Sequence, residues 1–384
     1  MDRRFLPRIL PVCALCILLT GCKDSKTPES KQPPQSASAQ NQTARTLSWT
    51  PAVRKSSSND CTQSSIDRFC LPGERKPTAL FTTRTTTLVI KAAQDAKYRS
   101  IYSWVPGKEP VLIVEGDGLD VTRLSDDTFA AWYSESGHEV LVTFDGQQHV
   151  SKPTVLPDGG PVGWGGCEGS SRYVACIGQP GVDEKNLDEM AFTGVLVIDL
   201  ESGQTFSFPV GHQTHFHFNP AQAIVYVTDH TTTGSERKGV VGFDINGNSV
   251  GPAQPSDMAP SPSGRFAETL PEDGAESWAI YDVKTQKTIF DFNCDKPAVC
   301  RLGDRSVTGE HDWNPMIPDQ IVVLGDAGKA YGAGSTCDVY DVSKARLVKS
   351  VSCGGLPVYD WSRDGKELVT LAYMDGVFHR ERVN

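Results

Sequence analysis

"YDWSRDGKELVTLAY" (359–373) shows the pattern that decides the fold of this chain: an aromatic residue, a polar turn and then an apolar strand. The pattern recurs along the sequence with its three parts in the same order. The copies are VTRLSDDTFAAWYS (121–134), HFHFNPAQAIVYVTD (215–229), MAPSPSGRFAETL (258–270) and HDWNPMIPDQIVVLGD (311–326), and GWGGCEGSSRYVACIG (163–178) fits with a modified turn.

A second piece follows most of these copies: an apolar strand that ends in Asp, a turn, and another strand. It occurs as GVLVIDLESGQTFSFPV (194–210), VVGFDINGNSV (240–250), SWAIYDVKTQKTIFDF (277–292) and CDVYDVSKARLVKSV (337–351). The two pieces together recur every roughly 40–55 residues, which is the period of four-stranded propeller blades.

The rest of the sequence also favours an all-β chain. The 35 glycines and 25 prolines separate short segments in which apolar and polar residues alternate. One short helix is expected, in VDEKNLDEMAF (182–192). We therefore predict an all-β propeller over residues 61–384. Seven four-stranded blades are favoured over six or eight, with TLSWTP (46–51) as a candidate strand to complete the last blade.

DWSRDGKELV, SPSGRFAE and FNPAQAIVYV resemble the WD-repeat-like β-propeller repeats of the TolB-type periplasmic family. The resemblance covers most of residues 78–384, and Arg363 stands where the family usually has proline. It implies a fold and offers no active-site residues to transfer.

The N-terminus resembles that of a bacterial lipoprotein. Three arginines precede an apolar run of signal-peptide length, and the run ends in Leu19-Thr20-Gly21-Cys22, which resembles a lipobox. We expect residues 1–21 to be a signal peptide and Cys22 to carry the lipid. An ordinary secretory peptide or an uncleaved anchor is the alternative.

Residues 22–60 are rich in Ser, Thr, Gln, Lys and Pro, which predicts a flexible tether between the lipid and the propeller. Lys23, where an aspartate would resemble an inner-membrane retention signal, favours the periplasmic face of an outer membrane in a diderm host. In a monoderm host the expected location is the extracytoplasmic face of the cell membrane. The net charge of −10 argues against nucleic acid as a partner.

The eleven cysteines divide by location. Cys13 and Cys16 lie in the signal peptide and Cys22 is the lipidation site, which leaves eight in an oxidising compartment. We expect four local disulfides rather than zinc thiolates, because no C-x2-C pair follows the signal peptide. The expected pairs are Cys61–Cys70, Cys167–Cys176, Cys294–Cys300 and Cys337–Cys353.

GHQTHFHFNP (211–220) contains three histidines at the start of a repeat, where first strands are expected to line a central channel. A polar channel face is the favoured interpretation, since His217 aligns with Asp312 and Asp360 of later repeats. A divalent metal held by His215, His217 and Asp312, in concert with His311 or Asp360, is the alternative. No other cofactor is expected.

Catalytic signatures do not stand out. The sequence has no H-E-x-x-H, no P-loop and no G-x-G-x-x-G, and an appended serine hydrolase is not expected. The leading hypothesis is a non-catalytic, envelope-anchored propeller that binds or scaffolds a protein, peptide or glycan and contacts the membrane through its lipid. The alternative is a metal-dependent propeller hydrolase or lactonase with its site in the channel. A small-molecule or sugar sensor is a third hypothesis.

The substitution Cys22→Ser removes the thiol that would carry the acyl chains. Because stable anchoring needs more than one chain, the variant is expected to lose both metabolic labelling by an alkyne fatty acid and sedimentation with membranes. Cys61→Ser is the control and should retain both. Unchanged labelling of Cys22→Ser would rule out lipidation at this position.

Overall fold

The computed structural model describes residues 42–43, 69, 76–93, 97–161, 163–182, 191–213, 215–228, 240–254, 257–269, 278–296, 299–302, 305–325, 335–354, 357–372 and 378–383. Strands provide almost all of the regular structure in these ranges, and every one of the ranges lies within one compact unit, 39–384. The regular helical element among them is a 3-10 turn, Val342–Lys344. No helix in the described part of the chain has the length and apolar character that a membrane span requires.

The first strand in chain order, β1 (Gln42–Thr43), pairs with a later sheet. Sheet I follows it in the chain and is antiparallel throughout, with each strand bonded to the next. It contains β2 (Lys76–Thr82), β3 (Leu88–Ala93), β4 (Tyr98–Trp104), β5 (Val111–Arg123), β6 (Thr128–Glu135), β7 (His138–Asp145) and β8 (Thr154–Val155).

Sheets II and III are antiparallel meanders, that is, runs of strands joined by hairpins. Sheet II contains β9 (Gly165–Gly169), β10 (Tyr173–Gly178), β11 (Phe192–Asp199) and β12 (Gln204–Gln213), and β1 pairs with the outer edge of β12. Sheet III contains β13 (His215–Asn219), β14 (Ile224–Thr228), β15 (Val240–Asp244) and β16 (Ser249–Pro252).

Sheet IV is the longest and sheet V the shortest in the described ranges. Sheet IV contains β17 (Phe266–Thr269), β18 (Trp278–Asp282), β19 (Lys287–Lys296), β20 (Val299–Leu302), β21 (Arg305–Trp313), β22 (Gln320–Gly325), β23 (Ser335–Asp341) and β24 (Arg346–Gly354). Sheet V contains β25 (Pro357–Trp361), β26 (Glu367–Ala372) and β27 (Phe378–Arg382).

Long strands divide sheet I into two successive meanders. The N-terminal half of β5 pairs with β4, the C-terminal half pairs with β6, and the register shifts between Asp117 and Asp120. In sheet IV, β21 likewise pairs with β20 at one end and with β22 at the other, and its register shifts between Val307 and His311. Each of these two sheets therefore consists of two meanders, a first half and a second half, that share one long strand.

The recurring Asp at strand ends has a structural cause. The carboxylate of each Asp accepts hydrogen bonds from backbone N–H groups two to four residues ahead and so fixes the turn to the next strand. Asp199 accepts from Glu201 N at 2.9 Å, and Asp244 accepts from Asn246 N at 2.9 Å. The other turns of this type follow Asp145, Asp282 and Asp341.

The Ser or Asn of the first repeat piece acts in the same way. Asn314 Oδ1 accepts from Met316 N and Ile317 N, both at 3.0 Å, and Asn219 Oδ1 accepts from Ala221 N at 3.1 Å. In the "SRDGK" copy, Gly365 has φ +69°, a conformation that glycine adopts at little cost. The two repeat pieces are thus two kinds of turn between paired strands.

The core consists of separate apolar clusters, each between one meander and the next. Two of these clusters lie within a sheet, between the two halves of sheet I and between the two halves of sheet IV. Three more lie between sheets: sheet I and sheet II, sheet II and sheet III, and sheet IV and sheet V. A sixth joins the beginning of the chain to its end: Leu80 and Trp104 of sheet I pack with Val369, Leu371 and Phe378 of sheet V. The rings of Trp104 and Phe378 meet edge to face with centroids 5.2 Å apart.

Sheet III contacts the segment before sheet IV through a polar link, in which Asn219 Nδ2 donates to Asp257 O at 3.0 Å. Contacts therefore run from each meander to the next and from the last meander back to the first. The chain is an all-β propeller, which confirms the fold class expected from the repeats. The number of blades, for which seven was favoured, stays a prediction.

Two of the four expected cysteine pairs lie at disulfide distance. The Sγ–Sγ separation is 1.97 Å for Cys167–Cys176 and 1.94 Å for Cys337–Cys353. Cys337 was expected directly opposite Cys353, but it faces Val351, and a register shift within the hairpin still brings the two sulfurs together.

The backbone of Cys294 faces that of Cys300 across the β19–β20 hairpin, as expected, while their side chains lie outside the described part. The remaining expectations on the N-terminal region also lie outside it: the signal peptide 1–21, Cys22, most of the tether, the candidate strand 46–51, and the pair Cys61–Cys70. The expected helix lies mostly outside it as well, since 183–190 are not described.

Candidate functional site

The first strands of successive meanders approach one another, and their polar side chains meet there. Trp361 Nε1 of β25 donates to Asp312 O of β21 at 3.1 Å, and Phe218 N of β13 donates to Glu168 Oε2 of β9 at 2.7 Å. These contacts join the first strands of neighbouring meanders, and the expectation that these strands line a central channel stays a prediction. Two features of the inner and end surfaces are candidates for function.

The first feature is the Asp360 cluster, which we define as Thr82, Arg123, Asp360 and Arg363. Asp360 is buried, and its Oδ2 accepts from Thr82 N at 2.6 Å and from Thr82 Oγ1 at 2.8 Å. Arg123 Nη2 donates to the same oxygen at 2.7 Å, and Arg363 Nη2 donates to Oδ1 at 3.1 Å. One carboxylate thus joins β2, β5 and sheet V.

The Asp360 cluster is suited to joining sheet V to sheet I, which closes the ring, rather than to catalysing a reaction. Its carboxylate accepts from three backbone or hydroxyl donors (Thr82 N, Thr82 Oγ1 and Trp361 N) and from two guanidinium groups, which occupies its lone pairs. Burial lowers the pKa of Arg363, and the charge of Asp360 opposes that change. We assign this cluster to structure.

Asp312 lies close enough to this cluster for the charges of Asp360 and Arg123 to affect the pKa of its carboxyl. The residue is exposed to solvent, but many protein atoms lie close to its carboxyl and reduce the hydration of the charged form. Burial raises the pKa of Asp312 to about 7, the charge of Asp360 raises it further, and His311 and Arg123 act in the opposite direction.

The structure gives the candidate metal ligands other contacts. His217 Nδ1 lies 3.1 Å from Glu168 Oε2, and His311 Nε2 lies 3.0 Å from Glu268 Oε2. The backbone of His215 is in β13, and its side chain lies outside the described part. No group of three His, Cys, Asp or Glu side chains among the described residues could hold a metal. A metal at His215, His217 and Asp312 stays a prediction.

One motif was overlooked in the sequence: Gly247-Asn248-Ser249-Val250-Gly251 matches G-x-S-x-G. A nucleophile elbow places its serine between a strand and a helix. Ser249 instead begins β16, an outer strand that pairs with β15, and its side chain is exposed. The match is therefore a hairpin and not a nucleophile elbow.

The second feature is a cavity of about 660 Å³, which we call the Glu139 cavity. Its walls come from three places: the β4–β5 part of sheet I, the β6–β7 hairpin, and the loop between β8 and β9. Along β5, Asp117 at the cavity and Arg123 at the Asp360 cluster are separated by about 20 Å at the usual rise per residue. The cavity therefore adjoins the middle of this strand, whereas the cluster adjoins its C-terminal end.

Aromatic side chains form much of the cavity wall. Trp132, Tyr133 and Trp164 line it and are largely buried, and Leu156 adds an apolar contact. Trp164 Nε1 donates to Pro157 O at 2.7 Å, which fixes the indole orientation. Trp132 and Trp164 are 3% exposed and Tyr133 is 5% exposed, so that only a small apolar area of each side chain faces the cavity.

Glu139 holds the loop that covers this wall. Its two carboxylate oxygens lie 2.8 and 2.9 Å from Trp164 N, which donates to them. A Cβ at Gly163 would lie 2.0 Å from Glu139 Oε1, and one at Gly159 would lie 2.8 Å from Oε2. Glycine is needed at both positions because the loop backbone passes directly over the carboxylate.

The electrostatics of the cavity are acidic. Three carboxylates line the cavity, those of Asp117, Glu139 and Asp158. Among the described lining residues the lysine or arginine side chain is that of Lys97, whose Nζ lies 3.8 Å from Asp117 Oδ2. Burial raises the pKa of Glu139 to about 7, the hydrogen bond from Trp164 N lowers it, and the charge of Asp158 raises it. Glu139 is thus a partly desolvated carboxylate in a negative environment.

The fold and the cavity together define the class of this protein: a β-propeller with a preformed, aromatic, acidic cavity at the ends of its strands. The sequence matches no protein-family model and no curated protein. Similarity to solved structures exists at low identity and concerns the fold alone.

Three of these structures illustrate the degree of similarity. The uncharacterised Listeria monocytogenes protein lmo1340 is 8% identical with a TM-score of 0.51, over 82% of this chain and 96% of that chain. Kuenenia stuttgartiensis hydrazine synthase is 15% identical with a TM-score of 0.50, over 82% and 97%. The β-propeller domain of the trilobed protease from Pyrococcus furiosus is 10% identical with a TM-score of 0.48, over 81% and 98%. Since the similar structures include an enzyme, the fold does not assign an activity.

Asp360→Ala removes the shared acceptor and leaves two guanidinium groups close together in a buried site. We expect the free energy of unfolding to fall by about 3–5 kcal/mol, measured by urea denaturation. Asp291→Ala, on an exposed position of β19, should change it by less than about 0.5 kcal/mol. A loss below about 1 kcal/mol for Asp360→Ala would contradict the closing role.

Asp312→Asn tests the raised pKa of this carboxyl. The native state binds the Asp312 proton more tightly than the unfolded chain, whose carboxyl titrates near its ordinary value of 3.8. The contribution of Asp312 to stability therefore falls as the pH rises from about 4 to 7 and stays low above that. The thermal midpoint of Asp312→Asn should match wild type near pH 4 and exceed it at pH 8, whereas Asp291→Asn should show no such trend. If the difference in thermal midpoint between Asp312→Asn and wild type were the same at pH 4 and pH 8, the raised pKa of Asp312 would be wrong.

Proposed function

We propose that this chain is an envelope-anchored β-propeller that binds a protein, peptide or glycan without chemical turnover, and that the ligand enters the Glu139 cavity. The single observation that carries the proposal is this cavity. Its volume of about 660 Å³ lies within the range of ligand sites, and its lining combines several polar and charged groups with small apolar areas of buried aromatic side chains.

The contacts of the polar residues favour binding over catalysis. Three histidines contact carboxylates: His149 with Asp145, His217 with Glu168, and His311 with Glu268. Ser249, in the G-x-S-x-G match, lies on an exposed outer strand. Neither arrangement presents an activated nucleophile at the cavity.

Anchoring is part of the proposal and rests on the sequence. The lipobox at Cys22 and the polar segment 22–60 support a lipid-linked propeller held away from the membrane surface. At the length of this tether, the propeller would search a volume near the membrane for ligands on neighbouring molecules. The localisation that follows is the cell envelope.

Ser134→Trp tests whether the cavity is the ligand site. Ser134 lines the cavity and is exposed, so that an indole there fills space without disturbing the core. Ser352→Trp, at an exposed position of β24, is the matched control. Full-length wild type should retain a specific ligand from envelope extract, identified by mass spectrometry, and Ser134→Trp should retain at least tenfold less.

The control should retain as much ligand as wild type, with similar thermal midpoints for all three proteins. Equal retention by Ser134→Trp and wild type would exclude the cavity as the binding site. Turnover of a small substrate by a wild-type protein that retains no ligand would exclude a purely binding role.

A further inference from the structure

The charges and walls of the Glu139 cavity restrict the kind of ligand it suits. We infer that the cavity takes the lysine or arginine side chain of a peptide or protein ligand, with the Glu139 carboxylate as its counter-ion. This inference rests on the proposed function, because it specifies the ligand of the same site.

The balance of charge in the lining favours a cation. Three carboxylates line the cavity, those of Asp117, Glu139 and Asp158, and the Lys97 side chain is largely exposed and directed to Asp117. Asp158 Oδ1 accepts from Gly160 N at 2.9 Å, which holds this carboxylate at the cavity loop. An anionic group would be repelled here, whereas a cation would reduce the repulsion between the carboxylates.

The walls suit the long stem of a basic side chain. Lysine and arginine have apolar methylene groups below a charged head, and the methylene groups gain from contact with apolar surface. Trp132, Leu156 and Trp164 provide a small apolar area of this kind in the cavity lining. A small metal ion would gain nothing from these rings, and an uncharged sugar would not use the carboxylates as counter-ions.

Glu139 has acceptor capacity for a further donor. Among the described residues, the N–H group that donates to it is that of Trp164. An ionised carboxylate has about four lone-pair sites, and the N–H of Trp164 occupies at most two of those on Glu139. Because Glu139 is partly desolvated, an incoming ammonium or guanidinium group would relieve the cost of its charge.

A second copy of this chain is a poor occupant by comparison. The net charge of the chain is −10, and two such chains repel each other at low ionic strength. A basic peptide or a basic patch on another protein has the complementary charge. The proposal therefore commits to a basic ligand.

The test compares two blocked pentapeptides, acetyl-Gly-Gly-Arg-Gly-Gly-amide and the same peptide with citrulline, which keeps the shape of arginine without its charge. Binding to the full-length protein is measured by chemical-shift titration at pH 7.5. The arginine peptide should bind at least tenfold more tightly than the citrulline peptide. Glu139→Gln, which keeps the side-chain size and an acceptor for Trp164 N, should reduce this ratio to less than threefold.

Glu135→Gln is the matched control, since Glu135 lies on the same β6–β7 hairpin and is not part of the cavity lining. It should leave the ratio unchanged. Thermal midpoints within a few degrees of wild type would show that both variants are folded.

The pH dependence provides a second readout. With a Glu139 pKa of about 7, the ionised fraction rises about tenfold between pH 6 and pH 8, and affinity for the arginine peptide should rise with it. The other titratable groups that face the cavity are Asp117 and Lys97 from sheet I, Tyr133 and His138 from the β6–β7 hairpin, and Asp158 from the loop. Glu139→Gln should make the affinity nearly independent of pH, which separates Glu139 from His138.

The outcomes separate the two proposals. Equal binding of the two peptides, or no binding of either, would overturn the inference of a basic ligand. If Ser134→Trp still blocked retention of an envelope ligand in that case, the cavity would remain the binding site for a ligand of other chemistry. If Ser134→Trp blocked nothing, both the inference and the proposed function would fail.

Discussion

Face-to-face packing of apolar sheet surfaces is the interaction on which the whole structure depends. Each meander has two faces, and a face that is not covered by its neighbour would expose a row of valines, leucines and aromatic rings. The chain solves this problem in sequence order, one meander against the next, until sheet V covers the remaining face of sheet I. Each fully buried Val, Leu or Phe side chain contributes roughly 1.5–3 kcal/mol, so that the closing cluster of Leu80, Trp104 and Phe378 stabilises the ring substantially.

Apolar packing does not fix one sheet at a particular position on the next. At the contact between sheet V and sheet I, the hydrogen bonds of the Asp360 cluster fix that position. The carboxylate of Asp360 can satisfy Thr82, Arg123 and Arg363 together in only one alignment of sheet V on sheet I. The same principle operates at each turn, where Asp and Asn side chains bind nearby backbone N–H groups and set the position at which the next strand begins. Polar side chains thus determine the register, and apolar side chains provide most of the stability.

The fold was readable from the sequence because its determinants are local. Turn residues and alternating strands recur within each repeat, and the alignment of Asp312 with Asp360 correctly placed both on the first strands of their meanders. Contacts between distant residues were not readable. Glu168 and His217 are 49 residues apart and Glu268 and His311 are 43 residues apart, and no spacing rule connects either pair. The Glu139 cavity was missed for the same reason: Lys97, Tyr133 and Trp164 belong to separate segments that meet only in the folded chain. A signal was available in the density of glycine in PDGGPVGWGG (157–166), of which only 163–166 belong to the repeat copy with a modified turn.

The position of the Glu139 cavity relative to the Asp360 cluster has a consequence for how such a molecule can diversify. The strand β5 contributes Asp117 to the cavity near its middle and Arg123 to the closing cluster at its C-terminal end. If the cavity binds the proposed ligand, substitutions in the loops around Glu139 would alter the choice of ligand without weakening the join between the two ends of the chain. Specificity could then change in a lineage that retains the same scaffold.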